Sequence, residues 1–523
     1  MDDVEVLVIG GGPTGLAAAM FLAWYDVPVL LVERHQDTSA HPKARAINPR
    51  TMELFRAAGI EDRVRAARSP ISGNTDLVHV HTLAGEERVR MPSASPEDIR
   101  KISPTQWTLI DQNQLEPVLR RRAVEAGADV RFHHRVDAVE EAGDGVVATV
   151  TDLATGAVRR VRARYVIAAD GSRSPVRGML GIPHHGTGTM TSLVSVFFTA
   201  DLRDALRGRK VIAAYVNNER MRGTLIPIDN EKRWVLNISF FPERGQSAED
   251  FDEQRCTELV RAAVGDEDLQ VEIESNDLAP WDIAARVADR FSLGRVFVAG
   301  DAAHVMPPTG AFGASTGIQD AFNLAWKLAH VLSGAAGPDL LRSYHDERAP
   351  VAEETVRQAM LRFAVREGKE LADVEGALVS EAVMTYGYRY PAGAFVPGDG
   401  FDAAVLEDPL RPSAQPGARA PHAVVRSAAG ETSTVDLFGR RFVLFGYETD
   451  VAGARDEAAR VGVELDALRV GADLEDPHGE FAGKYQVRAG DAVLVRPDGF
   501  VAWRGVFSAA AVGSALRQVL ARD

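Results

Sequence analysis

The chain has 523 residues, 46% of them hydrophobic, enough for two or three domains built around sizeable cores. Its 59 lysines and arginines against 74 aspartates and glutamates leave a formal charge of −15, which argues against sequence-independent attachment to a nucleic-acid backbone. Cys256 is the single cysteine, so an internal disulfide, a CxxC redox pair and a cysteine-ligated zinc or iron–sulfur centre are excluded. No metal site is expected from the 13 histidines either, because His133-His134 and His184-His185 are adjacent pairs that point to opposite faces of a strand. No run is long and apolar enough to span a bilayer, and no charged stretch with an apolar run behind it opens the chain. A cytoplasmic protein with no membrane partner is therefore expected.

The first predicted element is an apolar strand, Val6 to Ile9, which runs into glycines at 10, 12 and 15 and then an Ala-rich helix from Leu16 to Trp24. That order is the context a dinucleotide-binding glycine loop requires. The small residues permit a tight turn and close backbone approach, and the helix N-terminus turns unpaired N–H groups and partial positive charge toward a pyrophosphate. Glu33 ends the next strand, Val29 to Val32, where a carboxylate can bind ribose hydroxyls. A further apolar strand from Tyr165 ends in Asp170-Gly171 with Arg173 and Arg177 just behind it. Either arginine suits a phosphate or a surface carboxylate, and Arg177 is read as the functional one.

From Leu193 to Phe241 the pattern turns strand-like, and residues 251–266 read as helical, which fits a mixed sheet covering a cofactor. Tyr215, Trp234, Phe240 and Phe241 are its candidates for a pocket wall, set against the plainer reading of aromatics in a core. Trp281 is a candidate to face the cavity. Arg295 to Ala299 forms a buried strand before Gly300-Asp301, a turn containing prolines, and a helix from about Ser315 to Leu332. Asp301, at the strand end, can accept hydrogen bonds from a sugar or ribityl chain. Gly310, Gly313 and Gly317 strip side chains from the start of that helix, so its N–H groups can approach the pyrimidine edge of a flavin and stabilise charge developing there. His304 reads as a satisfied histidine near the turn. From about Leu406 a linker rich in Pro, Ala and Arg leads to a strand at 440–447, a helical stretch and a strand at 466–470. A hairpin turning at Pro497-Asp498-Gly499 and a helix, Ala509 to Leu520, complete this part.

Taken together in this order, the three motifs resemble those of the class A flavoprotein monooxygenases, the single-component aromatic hydroxylases whose simplest member is para-hydroxybenzoate hydroxylase. Arg45 to Leu54, the segment around Gln112 and the C-terminal extension resemble more closely the larger phenol and polyketide-tailoring hydroxylases of antibiotic biosynthesis. The resemblance spans essentially the whole chain. It implies an α/β fold in three parts: a discontinuous Rossmann-like FAD-binding domain (1–75, 103–182 and 285–395), an inserted mixed-sheet substrate domain (76–102 and 183–284), and a thioredoxin-like C-terminal domain (406–523). Lacking cysteines, that last domain is expected to serve packing or assembly, without redox activity. The single cysteine also sets the chain apart from the flavin disulfide reductases.

The same resemblance implies site residues. Gly10, Gly12 and Gly15, with Pro13 and Thr14 between them, would cradle the FAD pyrophosphate, and Glu33, followed by Arg34, would hold the adenosine ribose. Arg45 and Gln112 would flank the cofactor, Asp170 would join FAD and the pyridine nucleotide, and Asp301 would meet the ribityl chain. Gly313 and Ala314 would present backbone N–H groups to the flavin ring and the Pro308 carbonyl would face the reacting phenol, which makes these three the catalytic backbone positions. The phenol-activating base stays unassigned.

The implied oxidoreductase chemistry is reduction of FAD by NADPH or NADH, capture of O2 as a C4a-hydroperoxyflavin, and transfer of its distal oxygen to a small aromatic, phenolic and polycyclic, substrate. No second nucleotide-binding glycine loop is present, so the nicotinamide is expected to visit the FAD domain transiently. A flavin-dependent halogenase is a rival, although Pro280-Trp281-Asp282-Ile283 does not match the WxWxIP-type segment of that group. A monooxygenase performing Baeyer–Villiger insertion or oxidative rearrangement is a second rival, and a non-catalytic flavin-binding protein is a third. The oligomeric state, a homo-oligomer included, is left open.

Overall fold

The apolar run that opens the chain becomes the middle of a parallel sheet. In the computed structural model, which describes residues 2–92, 98–274, 280–367 and 369–522, Asp2–Ile9 lies between Val29–Glu33 and Val158–Ala168 and pairs with both in parallel. Val296–Val298 extends the sheet on one side and Asp129–Phe132 on the other, again in parallel. Strands buried on both faces read as unbroken apolar runs, which is why Val6 to Ile9 and Val29 to Val32 carry no alternation.

Two helices pack against each other beside this sheet, Pro13–Trp24 and Phe312–Leu332. Both begin three residues earlier than the sequence predicts, at Pro13 and at Phe312. Glycine in these first turns acts as a packing spacer and does not delay the helix. A Cβ on Gly15 would lie 1.9 Å from the Gly10 carbonyl oxygen, and one on Gly317 would lie 2.3 Å from Thr14 Oγ1. Further along, Phe21 and Phe322 meet edge to face at 4.7 Å, so the two helix N-termini are held side by side.

The second sheet is mixed, with nine strands among the described residues. Its order runs His304–Val305, Pro280–Ala288, His184–Thr199, Arg233–Phe240, Arg222–Pro227, Val211–Asn217, Asp76–Val80 and Glu87–Pro92, with Glu272–Ile273 beside His184–Thr199. The domain boundary expected at 285 falls inside a continuous strand: Ala288 still pairs with His184, and His304–Val305 joins this sheet as well. One face packs on the helix Glu253–Val264 through Phe198, Trp234, Leu236, Leu259 and Val260. Cys256 lies in that layer, and burial pushes its thiol up to about 11.

The C-terminal part carries a four-stranded sheet in the order Leu465–Val470, Phe442–Tyr447, Asp491–Val495, Val501–Val506; the first pair is parallel and the others antiparallel. Helices Ala454–Val461 and Ala509–Val519 pack together beside it. It is docked by buried charge. Arg496 reaches Glu347 with two nitrogens at 2.6 and 2.9 Å, and Lys327 meets the same carboxylate at 2.7 Å, all three side chains being fully buried. Burial alone would raise the Glu347 carboxyl, but Arg496 and Lys327 hold it well below the usual range. Trp326 and Asn323, on the helix Phe312–Leu332, donate to Asp498. No helix among the described residues is long and apolar enough to cross a membrane.

Candidate functional site

Register brings the motif ends together. Ile9 pairs with Val32 and with Ala168, and Ala168 pairs with Val298. The residues that follow, Gly10, Glu33, Asp170 and Asp301, therefore leave the sheet from one edge, at the carboxyl ends of parallel strands where open α/β sheets bind ligands. They border a cavity of about 2260 Å³. Single ligand pockets hold roughly 300–1,000 Å³, so this one has room for an extended dinucleotide and a second molecule.

The crevice has the chemistry of a dinucleotide site. Gly10 adopts φ +110°, and a Cβ there would strike the Ala169 carbonyl oxygen at 2.3 Å. Gly12 meets nothing within 4 Å, and Gly313 nothing nearer than Met306 at 3.9 Å, so both backbones lie open to the cavity. Pro13 and Thr14 line it too. The Glu33 carboxylate accepts the Gly11 N–H at 2.5 Å and the His35 N–H at 2.8 Å, and the His35 ring Nδ1 lies 2.5 Å from it. A carboxylate offers about four acceptor sites, which leaves room for a sugar hydroxyl. Arg34 faces the cavity and makes no hydrogen bond or ion pair among the described residues.

Asp301 also opens onto the cavity without a hydrogen-bond partner among the described residues. Protein surrounds it closely enough that desolvation raises its carboxyl above the ordinary value, against the pull of His304. A network behind it fixes the turn. His304 Nε2 lies 2.7 Å from Asp320 Oδ2, the same carboxylate accepts the Gly300 N–H at 3.1 Å, and Arg348 Nε donates to Asp320 Oδ1 at 2.7 Å. His304 Nδ1 has no partner among the described residues, so that histidine is only half satisfied there. Gly310 at φ +85° and Ala311 at φ +54° turn the chain into the helix, with Pro308 exposed in the cavity and Gly313 and Ala314 half-buried on the first turn.

Other candidates act at second hand. Asp170 accepts from Ser174 Oγ at 2.6 Å and the Val176 N–H at 2.9 Å, so it shapes the turn Pro175–Met179 while bordering the cavity; burial raises its carboxyl. Arg177, read from sequence as a ligand for phosphate, instead donates to the Ala302 carbonyl at 2.8 Å and ties two motifs together. Arg45 links the start of the helix Gln112–Glu125 to the mixed sheet, donating to Asp111 at 2.7 Å and to the Pro227 carbonyl at 2.6 Å. Gln112 accepts the Ala44 N–H at 3.3 Å and donates to Glu116 at 2.7 Å, which pins the loop that carries Arg45.

The far wall is the second face of the mixed sheet. Strand alternation decides which residues reach it. Val235, Asn237 and Ser239 line the cavity, whereas Trp234, Leu236, Ile238 and Phe240 face the helix Glu253–Val264. Trp234 as a pocket wall is thus corrected: it is 1% exposed and belongs to the core behind the sheet. Phe240 packs there on Phe251, and Phe241 sits beside Arg244, outside the cavity lining. Tyr215 and Trp281 do line the cavity. Arg366 stands over the Tyr215 ring at 5.4 Å, and burial raises the Tyr215 hydroxyl against that cation. Sequence reading missed Arg366, Ser195, Thr224 and Asn237. Alternation around Tyr215 and Trp281 would have found the last three once the strand register was known.

Residues 3–359 match the FAD binding domain family, and residues 413–522 match the family described as the C-terminal part of aromatic-ring hydroxylases. The chain is 42% identical to tetracenomycin B2 monooxygenase-dioxygenase of Streptomyces olivaceus, over 100% of this chain and 99% of that one. It is 41% identical to 4-methyl-5-nitrocatechol 5-monooxygenase of a Burkholderia species, over 99% and 98%. Among solved structures, aklavinone-11 hydroxylase in a ternary complex with FAD and aklavinone superposes with a TM-score of 0.92 at 37% identity, covering 100% of both chains.

Proposed function

Because this chain belongs to the family of FAD-dependent aromatic-ring monooxygenases, we propose that it hydroxylates a phenolic, multi-ring small molecule of polyketide type, using O2 and NADPH or NADH in the cytoplasm. The observation that carries this reading is the continuous cavity that joins the glycine crevice to the polar face of the mixed sheet. One end suits a dinucleotide, and the other suits a flat molecule too large for the volume a single ring would need.

FAD bound in the crevice would supply electron transfer and oxygen activation. The protein's part is placement. Gly12 and the first turn of Pro13–Trp24 bind the pyrophosphate through backbone N–H groups, Glu33 accepts from the adenosine ribose, and Asp301 accepts from the ribityl chain. Gly313 and Ala314 would offer N–H groups to the pyrimidine edge of the flavin, where the helix N-terminus would favour negative charge. On the substrate side the Pro308 carbonyl would accept a hydrogen bond from the phenolic hydroxyl and orient the ring, and the Arg366 guanidinium favours the phenolate formed when that proton leaves to solvent. Tyr215, kept protonated by its surroundings, donates to the ring oxygen and fixes its orientation. The mixed sheet walls the cavity on that side. We read residues 1–75, 103–182 and 285–395 as the part serving FAD, although 285–288 and His304–Val305 belong to the mixed sheet, 76–102 and 183–284 as the part serving substrate, and 406–523 as structural.

The test is a panel of simple phenols, polycyclic phenols and quinones scored by product mass and by NADPH or NADH consumed. A hydroxylated multi-ring product with matching cofactor consumption is expected. A lactone or ring-opened product from a ketone would replace the reading with Baeyer–Villiger chemistry. A methyl ether of the true phenol is expected to bind but to yield hydrogen peroxide; efficient hydroxylation of the ether would remove phenol activation from the account.

A further inference from the structure

We propose that Ser195, Asn237, Thr224, Tyr215 and His79 form a hydrogen-bonding rail that reads the oxygen atoms along one edge of a flat multi-ring substrate, with the Asn237 amide as its carbonyl-selective donor. The inference rests on the multi-ring reading above and deepens it. These five residues occupy one row across five adjacent strands: Ser195 pairs with Asn237, Asn237 with Thr224, Thr224 with Tyr215, and Tyr215 with His79. All five line the cavity. Strands lie about 4.8 Å apart, so the row runs for roughly 19 Å, well beyond the reach of one ring. Thr224 Oγ1 and the His79 ring nitrogens make no hydrogen bond among the described residues, and His79 stacks on Tyr215 at 4.9 Å.

At one end the hydrogen bonds form a chain that starts from a group able only to donate. An indole N–H only donates. Trp281 Nε1 donates to Ser195 Oγ at 2.9 Å, and the Ser195 hydroxyl donates to Asn237 Oδ1 at 2.7 Å. With its oxygen occupied, the Asn237 amide turns its NH2 toward the cavity and selects an acceptor, a quinone or ketone oxygen. At the other end Arg366 lies over Tyr215 and favours an anionic oxygen. The rail therefore has a polarity: carbonyl near Asn237, ionisable phenol near Tyr215. Trp281 and Ser195 are positioning residues, because they act on the ligand through Asn237.

The experiment measures binding of a dihydroxyanthraquinone and of the carbonyl-free dihydroxyanthracene with the same hydroxylation to the FAD-loaded protein, by quenching of ligand fluorescence. Wild type is expected to favour the quinone by about tenfold, the discrimination given by one well-placed donor. Asn237→Ala should bring the two ligands level. Asn237→Asp, nearly isosteric, should reverse the preference, since carboxylate and carbonyl are both acceptors. Trp281→Phe leaves Asn237 in place but frees Ser195 to reverse, and should lower the preference while FAD affinity stays unchanged, an effect that a merely structural tryptophan would not produce. Quinone preference that persists in the Asn237 variants, or the absence of any preference in wild type, would overturn the rail and leave the multi-ring reading standing. If neither compound binds, the rail and the multi-ring reading fall together.

Discussion

The crevice and the sheet face border one cavity but are built in opposite ways. In the crevice the chemistry belongs to the backbone, and side chains matter mainly by their absence at Gly10, Gly12, Gly15 and Gly313. On the sheet face every contact is a side chain, chosen by which way a strand residue points. The first kind of site tolerates almost no change in backbone geometry. The second changes its ligand by single substitutions while the sheet beneath stays as it is.

That contrast can be broken or sharpened by experiment. The largest effect is expected away from both regions, where buried charge docks the C-terminal sheet behind the helix Phe312–Leu332. Arg496→Met leaves Glu347 with Lys327 as its paired cation, beside the Asn323 amide and the Ala394 N–H, and should cost about 3–5 kcal/mol of stability, read by denaturant unfolding. The sign of its pH dependence follows from Glu347, whose carboxyl is held below the ordinary 4.5. Its contribution is complete above that value and is lost as pH falls through the folded value, so wild type should lose stability in acid more steeply than the variant. A variant as stable as wild type would show that the cluster does not anchor the domain.

Next comes Gly15→Ala. The added methyl meets the Gly10 carbonyl, and overpacking of about 1–3 kcal/mol should weaken FAD binding about five- to 150-fold in a titration of apoprotein. Asp301→Ala removes the proposed ribityl acceptor and should reduce FAD affinity by about 1–3 kcal/mol; unchanged affinity would take that role from it. The sheet face should respond differently. Trp281→Phe is expected to cost about 0.5–1.5 kcal/mol in binding of an anthraquinone, with FAD affinity intact, and a loss of FAD there would merge the two regions. The smallest effect belongs to Cys256→Ala. Its buried thiol lies on the far side of the sheet from the cavity, so turnover should be nearly unchanged.

The same contrast explains what could be read from sequence. Glycine spacing after an apolar strand announces a backbone site, so Gly10, Gly12, Gly15 and the turn before Gly313 were visible, as were the parallel strands that carry them. The C-terminal hairpin was visible through its Pro497-Asp498-Gly499 turn. On the sheet face an aromatic residue announces only burial, and Trp234 and Tyr215 look alike until register and alternation assign them to opposite faces. Asn237 and Arg366 carry no local signal, since one depends on pairing across strands and the other on how the helix Ser343–Arg366 ends over the sheet. Arg496 was hidden for the same reason, its partners Glu347 and Lys327 lying far away in sequence.

Insertion of one oxygen atom into an aromatic ring is the chemistry on which all these roles depend. It is tested most directly by running the reaction with the best substrate of the panel under isotopically heavy O2 and weighing the product. The account predicts one heavy oxygen in each product molecule, the second leaving as water, with one NADPH or NADH consumed. Product free of label, or product carrying both atoms of the same O2, would contradict it.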